Sequence, residues 1–232
     1  LNDIKQGIIR TPSEPDVIFK DDPLRMLRAI RFTVKYNFKI GEDILKSIAK
    51  NSDWINSISQ ERIQDELNKI LVTNKPVEGI ELLRTTGLLK HIIPELNQMV
   101  GLMQNRHHKE DAYQHTLSVI KNTPPDLITR LMALFHDIGK STTKSVDTDG
   151  EVHFFEHEKI GEQMTKSIMS RLKYPNDIIN TVALGVKSHM SLKHGTDDAS
   201  KLSDKTLRKF SVASGGNLNS FLDLIHADNM SH

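Results

Sequence analysis

His136 and Asp137 stand side by side where the apolar run "LMALF" ends, and a helix core gains nothing from two ionisable neighbours. A buried carboxylate is costly unless it is paired or binds a metal, and a neutral imidazole is a common metal ligand. Helical spacing brings more such groups to apolar faces. His157 shares its face with Ile160, Gly161, Met164 and Ile168; His189 follows Val182 and Val186; Asp228 follows Phe221 and Leu224; His115 precedes Val119 by one turn. Five predicted helices therefore each offer an ionisable group from the side that must be buried. His115, His136, Asp137 and Asp228 make one nitrogen-and-oxygen site suited to a divalent ion such as Mg, Mn, Ni, Fe or Zn. His157 and His189 are placed to hold a second ion, with the Asp137 carboxylate as bridge. Two ions about 3.5–4 Å apart clamp a phosphate and activate water, so phosphoester hydrolysis is the chemistry this set fits.

A second candidate lies in "FKDDPLRMLRAIRF". A carboxylate one turn from an arginine can read a base edge: Asp22 accepts from an exocyclic amino group, and Arg25 donates to ring nitrogens or carbonyls. Cytosine and adenine both present such an amino group. Arg25, Arg28 and Arg31 recur every three residues and form a basic stripe. Other features carry less. His107 and His108 precede a helix cap at Asp111 and read as solvated loop residues, with substrate contact the alternative. "DTD" at Asp147 to Asp149 mimics a metal-binding pair, but a hairpin turn explains it. His153 sits in that hairpin without an assigned role; His226 points away from Asp228, and His91, His194 and His232 follow no pattern.

The elements that must position these groups are nearly all helices. Residues 1–20 are polar, carry Pro12 and Pro15, and read as a connecting segment. A helix follows, capped by Asp21 or Asp22 with Pro23 at its first position and Leu24, Leu27, Ile30, Phe32 and Val34 on its apolar side. "SISQERIQDELNKIL" repeats the pattern with Ser59 as cap and Ile63, Leu67, Ile70 and Leu71 buried. "VEGIELLRTTGLLKHIIPEL" reads as a helix broken at Gly87, then a short turn ended by Pro94. Beyond about residue 98 the histidine density rises, which marks a domain boundary. Helices are predicted over 111–121, 126–139, 157–173, 176–190 and 217–229, with "KSVDTDGEVHFF" as a small hairpin. The fold expected is all-α with one small β-hairpin.

Composition narrows the classes. The chain has 232 residues, 37% of them hydrophobic, enough for one large or two small cores. A formal charge of +1 means that nucleic-acid contact must come from a local basic face. With no cysteine, disulfides, thiolate zinc sites and cysteine nucleophiles are all excluded. No apolar run reaches the roughly 18 residues of a spanning helix, and no signal-peptide pattern opens the chain, so the expectation is a cytoplasmic protein with no membrane partner. The first residue is Leu1, which suggests a piece of a longer chain.

In the order H…HD…H…H…D, the histidine and aspartate set around "HDIGK" resembles the HD phosphohydrolase superfamily over about residues 107–228. That resemblance implies that His115, His136, Asp137 and Asp228 bind the catalytic metal and that His157 and His189 serve members with two ions. It also makes Asp137 and Lys140 catalytic, with Lys140 facing the substrate phosphate. The earlier stretch is similar to the neck of bacterial CCA-adding tRNA nucleotidyltransferases and poly(A) polymerases, whose signature reads E-D-P-L-R-M-L-R-A-x-R-F; here Asp21 replaces the glutamate. "ISQERIQDEL", "GLLKHIIPEL" and "NDIKQGIIRTP", the last with Arg10, resemble further motifs of that family.

The resemblance implies a linker over 1–20 from a nucleotidyltransferase head, a nucleotide- and RNA-binding neck and body over 21–98, and an HD phosphohydrolase domain over 99–232. Asp22 and Arg25 would template CTP or ATP in the full-length protein. Arg28, Arg31, Arg62 and Glu66 would shape the neck, with the three arginines contacting tRNA or another RNA 3′ end. The family's head motifs, a Gly-Ser pair and D-x-D upstream of the neck, are not in this sequence, so the chain by itself is not expected to transfer nucleotides. The activity expected is metal-dependent hydrolysis, by one or two ions, of 2′,3′-cyclic phosphates, 2′-nucleotides or damaged tRNA ends. Two alternatives are an RNA-binding body with an inert HD scaffold and a free-standing HD nucleotidase.

Overall fold

The computed structural model describes residues 2–104, 110–193, 208, 211–212 and 215–231; His107, His108, His194 and His232 lie outside them. The chain divides into two compact units, Leu1–Asn97 and Gln98–His232.

The first unit carries α1 (Asn2–Gln6), β1 (Ile8–Ile9), α2 (Pro15–Asp21), α3 (Leu24–Tyr36), β2 (Lys39–Ile40), α4 (Glu42–Lys50), α5 (Gln60–Leu71), α6 (Pro76–Thr85), α7 (Leu89–Ile92) and α8 (Pro94–Asn97). Residues 1–20 are thus more structured than the connecting segment expected of them. Pro15 opens α2, at a position where a missing N–H removes no intrahelical bond, and Phe19 anchors the helix in the core. Asp22 Oδ1 accepts from the Leu24 amide at 3.2 Å where α3 begins. Leu24, Leu27, Ile30 and Val34 are buried as predicted. Phe32 is only half-buried and stacks on Tyr36, with Thr33 taking the buried position beside Val34. Burial of each such Leu or Ile is worth about 1.5–3 kcal/mol, and α3 gathers these contacts against α5 and α6.

Ile63, Leu67, Ile70 and Leu71 of α5 are buried, again as predicted. Gly87, at φ +77°, stops the chain after α6, a conformation open mainly to glycine. Pro94, expected to end a turn, instead begins α8. A parallel β1–β2 pair, in register Ile8↔Lys39, adds to the predicted hairpin; two residues a side leave no alternation to read.

The second unit carries α9 (Ala112–Asn122), α10 (Leu127–Phe135), α11 (Lys140–Thr143), β3 (Lys144–Val146), β4 (Val152–Phe154), α12 (His157–Arg171), α13 (Asn176–Lys193) and α14 (Leu218–Asn229). The side chains of Asp111 and Asp126 cap α9 and α10, each accepting from the backbone N–H three residues on. Every residue of α10 from Thr129 to Phe135 is buried, because α9, α13 and α14 all pack on it. The antiparallel β3–β4 hairpin pairs Lys144 with Phe154 and Val146 with Val152. In its turn, Asp147 Oδ1 accepts from the amides of Asp149 and Glu151 while Oδ2 meets His153 Nε2 at 2.8 Å. The "DTD" is therefore a turn device, as read from the sequence.

Two expectations need correction. The helix predicted over 126–139 ends at Phe135, and residues 136–139 form turns. The buried side of α12 runs through His157, Gly161, Thr165, Ile168 and Met169, with Ile160 and Met164 half-buried at its edge. The partner helix α13 packs on α12, with Val186 against Gly161 of the buried row. Among the described residues, no helix is long and apolar enough to cross a membrane.

Candidate functional site

Six side chains from five places in the second unit meet at one buried centre. α9 supplies His115, the turns after α10 supply His136 and Asp137, the first residue of α12 is His157, and α13 and α14 supply His189 and Asp228. All six are at least nine-tenths buried. Adjacent helical positions diverge by about 100°, and the early end of α10 lets both members of the His136–Asp137 pair turn inward. Gly139 makes the approach possible: a Cβ there would lie 2.1 Å from the His157 carbonyl oxygen. The close backbone contact seats Asp137 against the start of α12.

The six groups form two triads. His115, His136 and Asp228 offer ligand atoms that lie within 4.8 Å of one another, and so do Asp137, His157 and His189. Asp137 joins them. Its Oδ2 is 3.2 Å from His136 Nε2 and 3.7 Å from His115 Nε2, whereas its Oδ1 is 3.4 Å from His157 Nε2 and 3.7 Å from His189 Nε2. His115 Nε2 lies 3.1 Å from Asp228 Oδ1. Lys140 Nζ is 2.7 Å from both Asp137 Oδ2 and Gln104 Oε1, and 5.7 Å from the centre of the Phe154 ring.

Three of the imidazoles are held in one tautomer by backbone. The Nδ1 atoms of His136, His157 and His189 lie 2.8, 2.9 and 2.6 Å from the carbonyls of Ala133, Phe154 and Val186. A carbonyl only accepts, so each Nδ1 carries a proton and each ring turns its Nε2 inward. His157 Nε2 and His189 Nε2 then face each other at 3.4 Å with Asp137 Oδ1 alongside. Three lone-pair atoms converging in a buried space repel one another unless a cation sits among them. The donor set, nitrogen plus carboxylate with second-sphere carbonyls, fits a divalent metal.

Burial and charge act differently on the individual groups. Burial above all pushes His189 down to about 3, so its imidazole is neutral at ordinary pH. Burial also lowers His115, against the pull of Asp228. At His136 burial favours the neutral ring, but the Asp137 and Asp228 carboxylates outweigh it and raise the pKa. Burial opposes charge on Asp137 as well, yet Lys140 and His136 hold it well below the usual carboxylate range. The centre thus keeps an ionised carboxylate where the burial cost alone would neutralise it.

The first unit arranges its predicted residues differently. Arg62 reaches Asp22 Oδ2 at 3.2 Å. Arg25 pairs with Asp21 Oδ2 at 2.8 Å and donates to the Ile18 carbonyl at 3.3 Å. Arg31 lies 2.9 Å and Arg28 3.5 Å from the Glu66 carboxylate, which is 2% exposed. Arg10, further back, pairs with Asp3 at 3.3 Å. A cleft of about 310 Å³ opens beside the stripe, lined by Arg31, Lys35, Lys69, Val72, Thr73 and Asn74. Lys35, Lys69 and Gln104 escaped sequence reasoning. A lysine on a mixed-charge helix carries no periodic signal, and a lone glutamine carries none at all.

Comparison with known proteins places this architecture. The HD domain family pattern matches residues 82–213, more than half of the chain. A second pattern, described as "Probable RNA and SrmB- binding site of polymerase A", matches residues 37–99. The chain is 32% identical over 208 residues to the A-adding tRNA nucleotidyltransferase of Deinococcus radiodurans, covering 85% of this chain and 47% of that protein. It is 30% identical over 180 residues to the CC-adding tRNA nucleotidyltransferase of Thermus thermophilus, covering 73% of this chain and 42% of that protein. Among solved structures, the CCA-adding enzyme of Bacillus stearothermophilus in complex with CTP has the same fold over 97% of this chain and 47% of its own, with a TM-score of 0.60 and 20% identity. The chain spans about half the length of the curated relatives it matches. It belongs to the HD-domain family, in the branch that joins this domain to the polymerase A region and is shared with tRNA nucleotidyltransferases.

Proposed function

We propose that this chain is the neck, body and HD portion of a cytoplasmic tRNA nucleotidyltransferase or poly(A) polymerase-like protein, and that its HD centre is a divalent-metal phosphoesterase acting on RNA 3′ ends. The observation that carries the reading is the pair of adjacent buried triads with the Asp137 carboxylate between them, and three imidazole Nε2 atoms fixed inward. His115, His136, Asp137 and Asp228 would hold one ion, and His157 and His189, with Asp137, a second. The metal would supply a water of lowered pKa and offset charge on the phosphoryl oxygens.

This chain's own residues do the rest. The Ala133, Phe154 and Val186 carbonyls orient the imidazoles, so the site is assembled before substrate arrives. Lys140 holds Asp137 ionised and brings an ammonium to the rim, where an anionic phosphate gains from it. 2′,3′-Cyclic phosphates and 2′-nucleotides are the small substrates that match an RNA 3′ end.

In the first unit, Asp22 and Arg25 are assigned to reading CTP or ATP in the whole protein, and Arg28 and Arg62 to RNA phosphates. The relatives are A-adding and CC-adding tRNA enzymes, and one fold relative was solved with tRNA. Arg31, 14% exposed and held by Glu66, supports the stripe more than it contacts solvent.

The test is hydrolysis of 2′,3′-cyclic AMP with Mn, Ni or Mg, beside Asp137→Ala. Turnover lost in the variant supports the reading. No turnover with any ion, alongside tRNA binding that weakens steeply with salt, would leave an RNA-binding body on an inert HD scaffold.

A further inference from the structure

Gln104 is 6% exposed, and its two amide atoms are treated very differently. Oε1 accepts from Lys140 Nζ at 2.7 Å, whereas Nε2 is buried without a hydrogen-bond partner among the described residues. Lys140 is a donor only, so it fixes which end of the amide is oxygen; flipping the group would set donor against donor. The lone Nε2–H2 group is therefore a consequence of the lysine contact. A buried donor with no acceptor is unfavourable, and a fold that keeps one usually has a use for it. The same ammonium that holds Gln104 also holds Asp137 Oδ2 at 2.7 Å, so the unanswered donor sits beside the centre.

We infer that Gln104 contacts substrate: its Nε2–H2 donates to a phosphoryl oxygen of a phosphate-bearing ligand while Oε1 keeps Lys140 aimed at the same group. The inference rests on the reading of this centre as a metal-dependent phosphoesterase and adds a binding residue to it. Lys140 supplies charge, and Gln104 supplies a directional neutral donor. Together they make an anion-accepting rim over the metal-ligating face. A residue that only propped Lys140 would leave its nitrogen in water or on a carbonyl.

Gln104→Glu tests this cleanly, because it keeps the shape and the acceptor for Lys140 but replaces the donor with a second acceptor. Binding of inorganic phosphate in the presence of Mg is measured by calorimetry in the full chain, together with binding of Mn alone. Phosphate affinity is expected to fall by at least about tenfold in the variant, with Mn affinity retained. Gln104→Met, which removes the donor without adding charge, guards against misfolding of the first variant and is expected to lose phosphate affinity in the same direction. Unchanged phosphate binding in both variants overturns the inference, as does a wild-type chain that binds no phosphate. Hydrolysis of 2′,3′-cyclic AMP separates this from the broader reading. Absent turnover with donor-dependent phosphate binding sinks the phosphoesterase and keeps the contact; turnover with an unchanged KM in both variants does the reverse.

Discussion

The two units of this protein handle charge in opposite ways. Around α3 and α5, cations and carboxylates pair directly: Arg31 and Arg28 on Glu66, Arg62 on Asp22, Arg25 on Asp21. In the second unit, acceptors are gathered against one another, with His157 Nε2, His189 Nε2 and Asp137 Oδ1 converging at 3.4–3.7 Å. The first arrangement is satisfied by the chain itself. The second leaves acceptor facing acceptor, the arrangement that a cation would complete. Ion pairs within a fold report stability and surface charge, whereas converging buried acceptors report a ligand.

The comparison breaks first, and most, at Asp137. Asp137→Ala removes the carboxylate that lies between the two triads, so metal binding and any hydrolysis should drop by about 10³-fold, the effect of losing a metal ligand and its charge together. Calorimetry with Mn reports the first and turnover the second; a variant that retains both would dismantle the site. The variant also strands Lys140, 12% exposed, so some stability is lost with the site, and circular dichroism of the same sample shows whether the helices persist.

Glu66→Ala is the matching change in the first unit, and there the expected loss is stability. It strands Arg31, only 14% exposed, and part of Arg28, which by analogy with broken buried pairs costs about 3 kcal/mol. Urea denaturation should show that loss while Mn affinity of the second unit stays unchanged. A variant as stable as wild type would mean that the arginines find other partners.

A smaller effect is expected at Asp126, which caps α10 and also receives Thr129 and Ser220 hydroxyls. Burial opposes its charge, but the Thr129 amide and hydroxyl outweigh it and lower the pKa. A carboxylate depressed in the folded state contributes its stability above its unfolded pKa and loses it as pH falls through the folded value. Asp126→Ala should therefore cost about 1 kcal/mol near neutrality, and the gap from wild type should narrow below about pH 4. Parallel denaturation curves at pH 7 and pH 3 check it; a gap that widens in acid has the sign wrong.

Least of all is expected from Asp21→Ala. The carboxylate is 68% exposed and its Arg25 partner 39%, so the stability change should stay within about 0.5 kcal/mol and vanish in high salt. Should it exceed 1 kcal/mol in thermal melts, the first unit depends on its surface pairs more than the geometry implies.

Much of this protein was legible without coordinates, for identifiable reasons. The helices of the second unit announce themselves because their apolar residues recur at helical spacing, and an ionisable residue on such a face stands out. His115, His136, Asp137, His157, His189 and Asp228 were all found that way, and the structure brings them together. Residues 1–20 misled because prolines were read as breakers, although Pro15 begins a helix. The end of α10 was placed four residues late because an apolar pattern does not record where side chains take over the backbone's hydrogen bonds, as His136 Nδ1 does at Ala133.

What the sequence determined by itself was the set: which residue types lie on buried faces, in what order, and hence what chemistry they suit. Local periodicity encodes that, since 3.6 residues per turn fixes each residue's side of its own helix. Only the tertiary structure decided the partition. The sequence already had Asp137 bridging toward His157 and His189, but only the fold gives the distances at which its two oxygens face the two groups and sets Lys140 against Gln104 at its edge. Those relations join residues as far apart as His115 and Asp228, and they depend on how helices pack, which no single helix's pattern carries.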